Sequence, residues 1–112
     1  MFNLSQSATF WWPVTVMLPK DGGGFDKATF DAEFRRKSDT ELKAIRTRVE
    51  GDELTDAAFV REVLAGWRGV SDGADELAFS ETALARLLDV PGVAAAVVIA
   101  YVESQSGLKR KN

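Results

Sequence analysis

The stretch FVREVLAGWRGVSDG, residues 59–73, decides how the chain is partitioned. It sets a tryptophan between two glycines, directly after a run with helical spacing. Phe59 and Val63 form one row; Val60, Leu64 and Trp67 form the adjacent row at i, i+4 and i+7. The spacing predicts a helix that begins near Leu54, with Thr55 as its N-cap, and carries Trp67 on its buried side. Gly66, Trp67 and Gly69 then read as a structural helix-end motif, in which Gly69 supplies the left-handed stop.

Towards the amino terminus the period changes. Val14, Val16 and Leu18 alternate with Thr15 and Met17, and Ala28, Phe30, Ala32 and Phe34 alternate with Thr29, Asp31, Glu33 and Arg35. With the glycine-rich turn at 20–24 between them, these runs predict a hairpin over 13–19 and 25–36. A short helix competes for the second run, since Phe30 and Phe34 also stand four apart. Ser38 and Glu41 have capping-box spacing, and Leu42, Ile45 and Val49 follow as a narrow helical stripe that Gly51 ends. Asp39 and Lys43 form a favourably oriented i,i+4 pair worth ~0.3 kcal/mol.

Towards the carboxyl terminus, residues 69–76 are rich in turn formers. Ser80 caps a third helix with the face Ala83, Leu84, Leu87 and Leu88, and residues 89–92 break it. A fourth helix is predicted over 91–105, with Pro91 in its first turn. It is apolar almost all round from Val93 to Val102, which predicts a central position. Its Val97-Val98-Ile99 run suits a strand, while Ala94, Ala95, Ala96 and Ala100 favour helix. The expected fold is α+β in one domain. An N-terminal β-hairpin (13–36) packs on a mainly α-helical bundle of about four helices (37–105), flanked by an arm (1–12) and a flexible basic tail (106–112).

Composition narrows function. With 112 residues, 46% of them hydrophobic and 28% charged, the chain is of a size to build one core. It has no histidine, which removes the commonest general base and every triad built on Ser-His or Cys-His, and no cysteine for disulfides or thiolate metal sites. Neither an enzyme nor a metal or cofactor is expected. A net charge of −3 gives no general attraction to nucleic acid, and the Lys109-Arg110-Lys111 cluster reads as a solubilising end. The longest apolar run is short of the roughly 20 residues of a membrane span. The first residues lack the basic block of a secretion signal, so a cytoplasmic setting is expected.

Two loops resemble ligand motifs only superficially. Residues 71–76 hold carboxylates and a glycine without calcium-loop spacing, and Gly22, Gly23 and Gly24 lack the Lys-Ser/Thr of a phosphate loop. Charge is segregated: Arg35, Arg36, Lys37, Lys43, Arg46 and Arg48 cluster in one segment, and most acids lie between Glu50 and Asp89. Such faces meet within one subunit or between neighbours. Trp11 and Trp12 point to opposite faces of a strand, so either the hairpin is covered on both sides or one indole faces a partner. The candidate protein-binding residues are Trp11, Trp12, Arg35, Arg36, Lys43 and Arg46.

The order of motifs is similar to a known family. WPVTV (12–16), LPKDGG (18–23), TFDAEF (29–34), VLAGWRGVSDG (63–73), FSETALARLL (79–88), PGV (91–93) and AYVES (100–104) together resemble the tail assembly chaperones of long-tailed bacteriophages and prophages. The resemblance implies a non-enzymatic protein of the host bacterial cytoplasm that binds the tape measure protein, keeps it soluble and helps recruit tail tube subunits. It also implies a longer product made by ribosomal frameshifting near the end of the frame. Spare aromatic surface and segregated charge suit a binding protein that self-associates as a homo-oligomer around a filament. The alternative is a structural minor tail or connector protein of the virion.

Overall fold

The computed structural model describes residues 1–107; the Lys109-Arg110-Lys111 cluster lies outside them. The hairpin exists and is longer than expected. β1 (Thr9–Pro19) pairs antiparallel with β2 (Phe25–Arg35) in unbroken register from Thr9↔Arg35 to Pro19↔Phe25. The strand begins four residues before Pro13 because Phe10 and Trp12 continue the inward alternation. Pro13 sits inside β1 without breaking the sheet, since β1 is an edge strand and the missing N–H costs no ladder bond.

The helical reading of the opening stretch is corrected at Leu64. α1 (Asp39–Glu50) and α2 (Asp56–Val63) form as the caps predict, with the Ser38–Glu41 capping box complete and the Thr55 side chain accepting from Ala58 N. At Leu64, however, the backbone turns extended (φ −95°, ψ 119°), and Leu64–Arg68 is a strand, β3, on the far side of β2. The hairpin is thus part of a three-stranded antiparallel sheet of order β1-β2-β3. Gly66 and Trp67 belong to a strand, and the positive φ of Gly69 (83°) follows that strand and not a helix.

A β-bulge explains the mismatch. Glu33 pairs with Gly66 and Phe34 with Leu64, so Ala65 is the extra residue. Without it, Leu64 and Trp67 would face opposite sides of the sheet. With it, both face inward, Leu64 opposite Phe34 and Trp67 opposite the small Ala32. Two inward residues three apart mimic one turn of helix. Tertiary pairing also supplies what a longer helix would have provided: the Arg35 guanidinium donates to the carbonyl oxygens of Arg61, Glu62 and Leu64 at 3.4, 3.2 and 2.9 Å. These are the carbonyls left over at and just past the end of α2.

After a small hairpin of β4 (Ser71–Asp72) and β5 (Asp75–Glu76), α3 (Glu81–Leu88) starts on its Ser80 cap and α4 (Val93–Ser106) follows. The inner sheet face, with Val14, Val16, Phe30, Ala32, Phe34 and Trp67, meets α2 and α4 in one core that Ala83 and Leu84 of α3 complete. At its centre Phe34 and Phe59 each pack edge-on against Tyr101, at 5.1 and 5.7 Å between centroids. α1 is peripheral and buries only Ile45. The two charged segments meet inside the subunit at one pair, where Arg48 reaches both carboxylate oxygens of Glu62 at 2.9 Å, while Arg61 pairs with Glu81 within the acidic segment.

Tyr101 carries a measurable signature. Its hydroxyl is buried without a hydrogen-bond partner, and burial, reinforced by the nearby Glu41 carboxylate, raises its pKa above the ordinary tyrosine value. The native state therefore keeps the phenolic proton where the unfolded chain starts to lose it. This contribution is fully present below pH ~10 and is lost as pH rises through the native value. Tyr101→Phe is expected to raise stability at pH 7 by about 1 kcal/mol, because it deletes an unpaired buried hydroxyl. It should also flatten the alkaline fall in melting temperature. As Tyr101 is the only tyrosine, its ultraviolet absorbance reports the titration directly.

Candidate functional site

The fourth helix departs from expectation in the way that matters most for function. An all-round apolar helix is normally wrapped on every side. Here Val93, Val97, Ala100 and Tyr101 are buried, but Ala95, Ile99 and Val102 are not. These three stand at i, i+4 and i+7 and form an apolar stripe along the outside of α4, with Ile99 60% and Val102 56% exposed. The central position expected for this helix is therefore corrected. The sheet and α2 cover one side of α4, and no element among the described residues crosses the other.

The stripe is a ridge between two grooves. On one side α4 meets β1 in a depression of about 410 Å³ lined by Pro13, Thr15, Met17 and Ile99. On the other it meets α1 and the start of α2 in a groove of about 370 Å³, with Leu42, Ile45, Val49 and Val98 as walls and Tyr101 and Val102 along α4. Arg46 and Asp56 stand at the second groove, and neither forms an ion pair among the described residues. One basic and one acidic group thus flank an apolar floor. Exposed apolar side chains beside such a groove make this face the candidate for protein contact.

The residues singled out from the sequence do not gather into one patch. Trp12 points inward and packs against the core, its indole nitrogen buried without a partner. Trp11 points to the open outer face of the sheet, 42% exposed, with the Arg68 guanidinium 4.2 Å above its ring and bonded to Asp31 at 3.2 Å. Arg35 is spent on the α2 carbonyls, Arg36 lies 5.0 Å over Phe10, and Lys43 pairs with Asp39 at 3.1 Å. Only Arg46 borders a groove. Trp67 is buried, donates its indole N–H to the Leu77 carbonyl at 2.8 Å and meets Phe79 edge-on at 4.8 Å. Gly66 leaves room for Glu33, whose carboxylate would stand 2.8 Å from an added Cβ and which accepts from Thr9.

Sequence reasoning missed Ile99, Val102 and Val49 as surface residues. The signal was present in the all-apolar circumference of α4, which a chain this short cannot cover on every side. Nothing in this surface suggests chemistry. Among the described residues no group of three or more acidic side chains is placed to hold a metal ion, and no single helix is long and apolar enough to cross a membrane.

A family model described as phage tail assembly chaperone matches residues 1–112. The chain belongs to that family. Among curated proteins and solved structures no significant match was found. A phage tail assembly chaperone acts in the host cell while the virion is built, and the family is in general non-enzymatic. Membership of the family implies binding to phage tail proteins.

Proposed function

We propose that this chaperone binds the tape measure protein in the host cytoplasm, keeps it soluble during tail assembly, and assists addition of tail tube subunits. The uncovered stripe Ala95–Ile99–Val102 of α4, with a groove on either side, is the observation that carries this reading. A client patterned with apolar residues at helical spacing would lay its face along the ridge and fill the grooves, as amphipathic helices do on other hydrophobic surfaces. The role needs no catalytic residue. A frameshifted longer form, if made, would extend the chain beyond α4 and carry the link to the tail tube. A slippery heptamer and overlapping frame at codons 105–112 would identify it.

Co-expression with the neighbouring tape measure gene tests the reading. The wild-type chain should raise the soluble yield of the tape measure protein and co-purify with it. Replacing Ile99 and Val102 together by Asp should reduce co-purification at least tenfold, while the melting temperature stays within a few degrees, since both side chains are already exposed. Undiminished capture by the double variant would remove the ridge from the binding site. Purified particles that contain this chain in stoichiometric amount would favour the virion-component reading.

A further inference from the structure

β1 is the outermost strand of its sheet, and its free side is a row of unused backbone groups. Arg36 N donates to Ala8 O at 2.9 Å and Lys20 N to Gly24 O at 3.0 Å, which fixes the parity of the ladder: the even residues of β1 bond to β2. The N–H groups of Trp11, Thr15 and Met17 and the carbonyls of Trp11, Pro13, Thr15 and Met17 therefore point away from β2. None of them has a partner among the described residues. Natural sheets blunt such an edge with charge, yet Thr9–Pro19 contains no charged residue. Its blunting comes from the missing N–H of Pro13 and of Pro19.

A groove runs along this edge. Pro13, Thr15 and Met17 project from the outer face of the sheet, while α4 packs on the core side. The depression of about 410 Å³ that touches both, with Ala95, Ala96 and Ile99 on α4, therefore lies off the free edge of β1. Tyr101 packs on Phe34 at 5.1 Å and Phe34 on Phe10 at 5.8 Å, so the C-terminal half of α4 lies at the Thr9 end of β1. Glu103 borders the groove at that end. It is half-buried, and its carboxylate has no partner among the described residues.

We propose that this groove takes an extended segment of a client protein as an added antiparallel strand on β1, with a basic side chain of that segment on Glu103. The addition continues the antiparallel order of the sheet. Alternate residues of the added strand stand opposite Val16, Val14 and Trp12 and point toward α4, the first two over the alanines and the third at Glu103. The free N–H and carbonyl groups of β1 hold any extended backbone, and the carboxylate sets the register.

Charge chooses the occupant. A second β1 has no cation to set against Glu103, and because each copy lacks the N–H of Pro13, two such edges would leave carbonyls unpaired on both sides. The chain's own arm, residues 1–8, has no basic side chain either. The inference rests on the reading that this face receives clients but not on which client, and it leaves the α1 side of the ridge for a helical one.

The probe is a synthetic peptide with blocked ends, Thr-Val-Thr-Val-Thr-Arg-Thr. It contains no tape measure sequence, so its failure would leave co-purification of the tape measure protein as a separate result. On titration followed by NMR, the amides of Thr15 and Met17 should gain exchange protection, while those of Val14 and Val16 are already bonded to β2. N-methylation of the second Thr of the peptide, whose N–H faces Thr15, should weaken binding roughly tenfold or more, and N-methylation of the Val after it, whose N–H faces away, less than about twofold. Glu103→Arg should reverse the preference, making the peptide with Glu in place of Arg the tighter ligand. Absence of binding, equal sensitivity to the two N-methylations, or a preference that ignores residue 103 would overturn the proposal. So would protection of the Thr15 and Met17 amides in the free chain, since an edge already paired, by a second β1 or by the arm, has no place for a client.

Discussion

Trp67→Ala is expected to lower stability by about 3–5 kcal/mol, the range for truncating a large buried aromatic. Three losses combine at this position. The indole is 7% exposed and fills the space opposite Ala32, so removing it opens a cavity that the small partner cannot close. Its N–H no longer reaches the Leu77 carbonyl, and its edge-on contact with Phe79 disappears. Those two contacts tie β3 to the segment leading into α3, so the cost is spread over both. For a chain of this length each kcal/mol shifts the melting temperature by about 4 °C, which gives a fall of roughly 12–20 °C in a calorimetric or circular dichroism melt. Trp11→Ala is the control: Trp11 lies on the open face and should cost less than about 1 kcal/mol. If the two variants melted together, Trp67 would not be the residue that joins the sheet to α3.

Arg35→Ala should destabilise by about 2–4 kcal/mol and should act through the fold and not through a partner. Its guanidinium serves three carbonyls where α2 turns into β3, two of them at 3.2 Å or closer, and hydrogen bonds to a charged donor contribute about 1.5–3 kcal/mol each when intact. Truncation leaves those carbonyls without their partner at a partly buried junction. Arg35→Lys should recover only part of the loss: all three bonds come from the single nitrogen Nη1, at the far end of a side chain longer than lysine's, so an ammonium on the shorter stem falls short of that position. Arg36→Ala, which removes a cation above Phe10, should cost about 1 kcal/mol or less. Hydrogen exchange would localise the effect: the amides of Leu64–Arg68 should lose protection first in Arg35→Ala. Normal stability with weakened binding of a tail protein would instead make Arg35 an interface residue.

Much of the architecture was legible because it is written in local patterns. Alternation marked β1 and β2, and side-chain caps at Ser38, Thr55 and Ser80 placed three helix starts within a residue. The Asp39–Lys43 pair formed as its spacing predicts. The candidate site was far less legible. Basic residues read as one face were each engaged by a different neighbour: Arg35 by α2 carbonyls, Arg36 by Phe10, Lys43 by Asp39 and Arg48 by Glu62. Proximity in sequence does not reveal such partners. Nor does hydrophobicity alone distinguish a buried valine from an exposed one, and Val97 and Val102 of the same helix take opposite fates.

Sequence alone therefore determined the α+β class, the hairpin, the helix starts, the absence of histidine- and cysteine-based chemistry, and membership of the tail assembly chaperone family. Tertiary structure decided the rest. It turned Leu64–Arg68 from the end of a helix into a third strand, because β2 offered an open edge, Arg35 took up the α2 carbonyls, and the bulge at Ala65 set both Leu64 and Trp67 inward. It also left one side of α4 uncovered by any other element among the described residues. A helix records its apolar residues in its sequence, but which of them face water depends on how many elements the chain has left to lay against it.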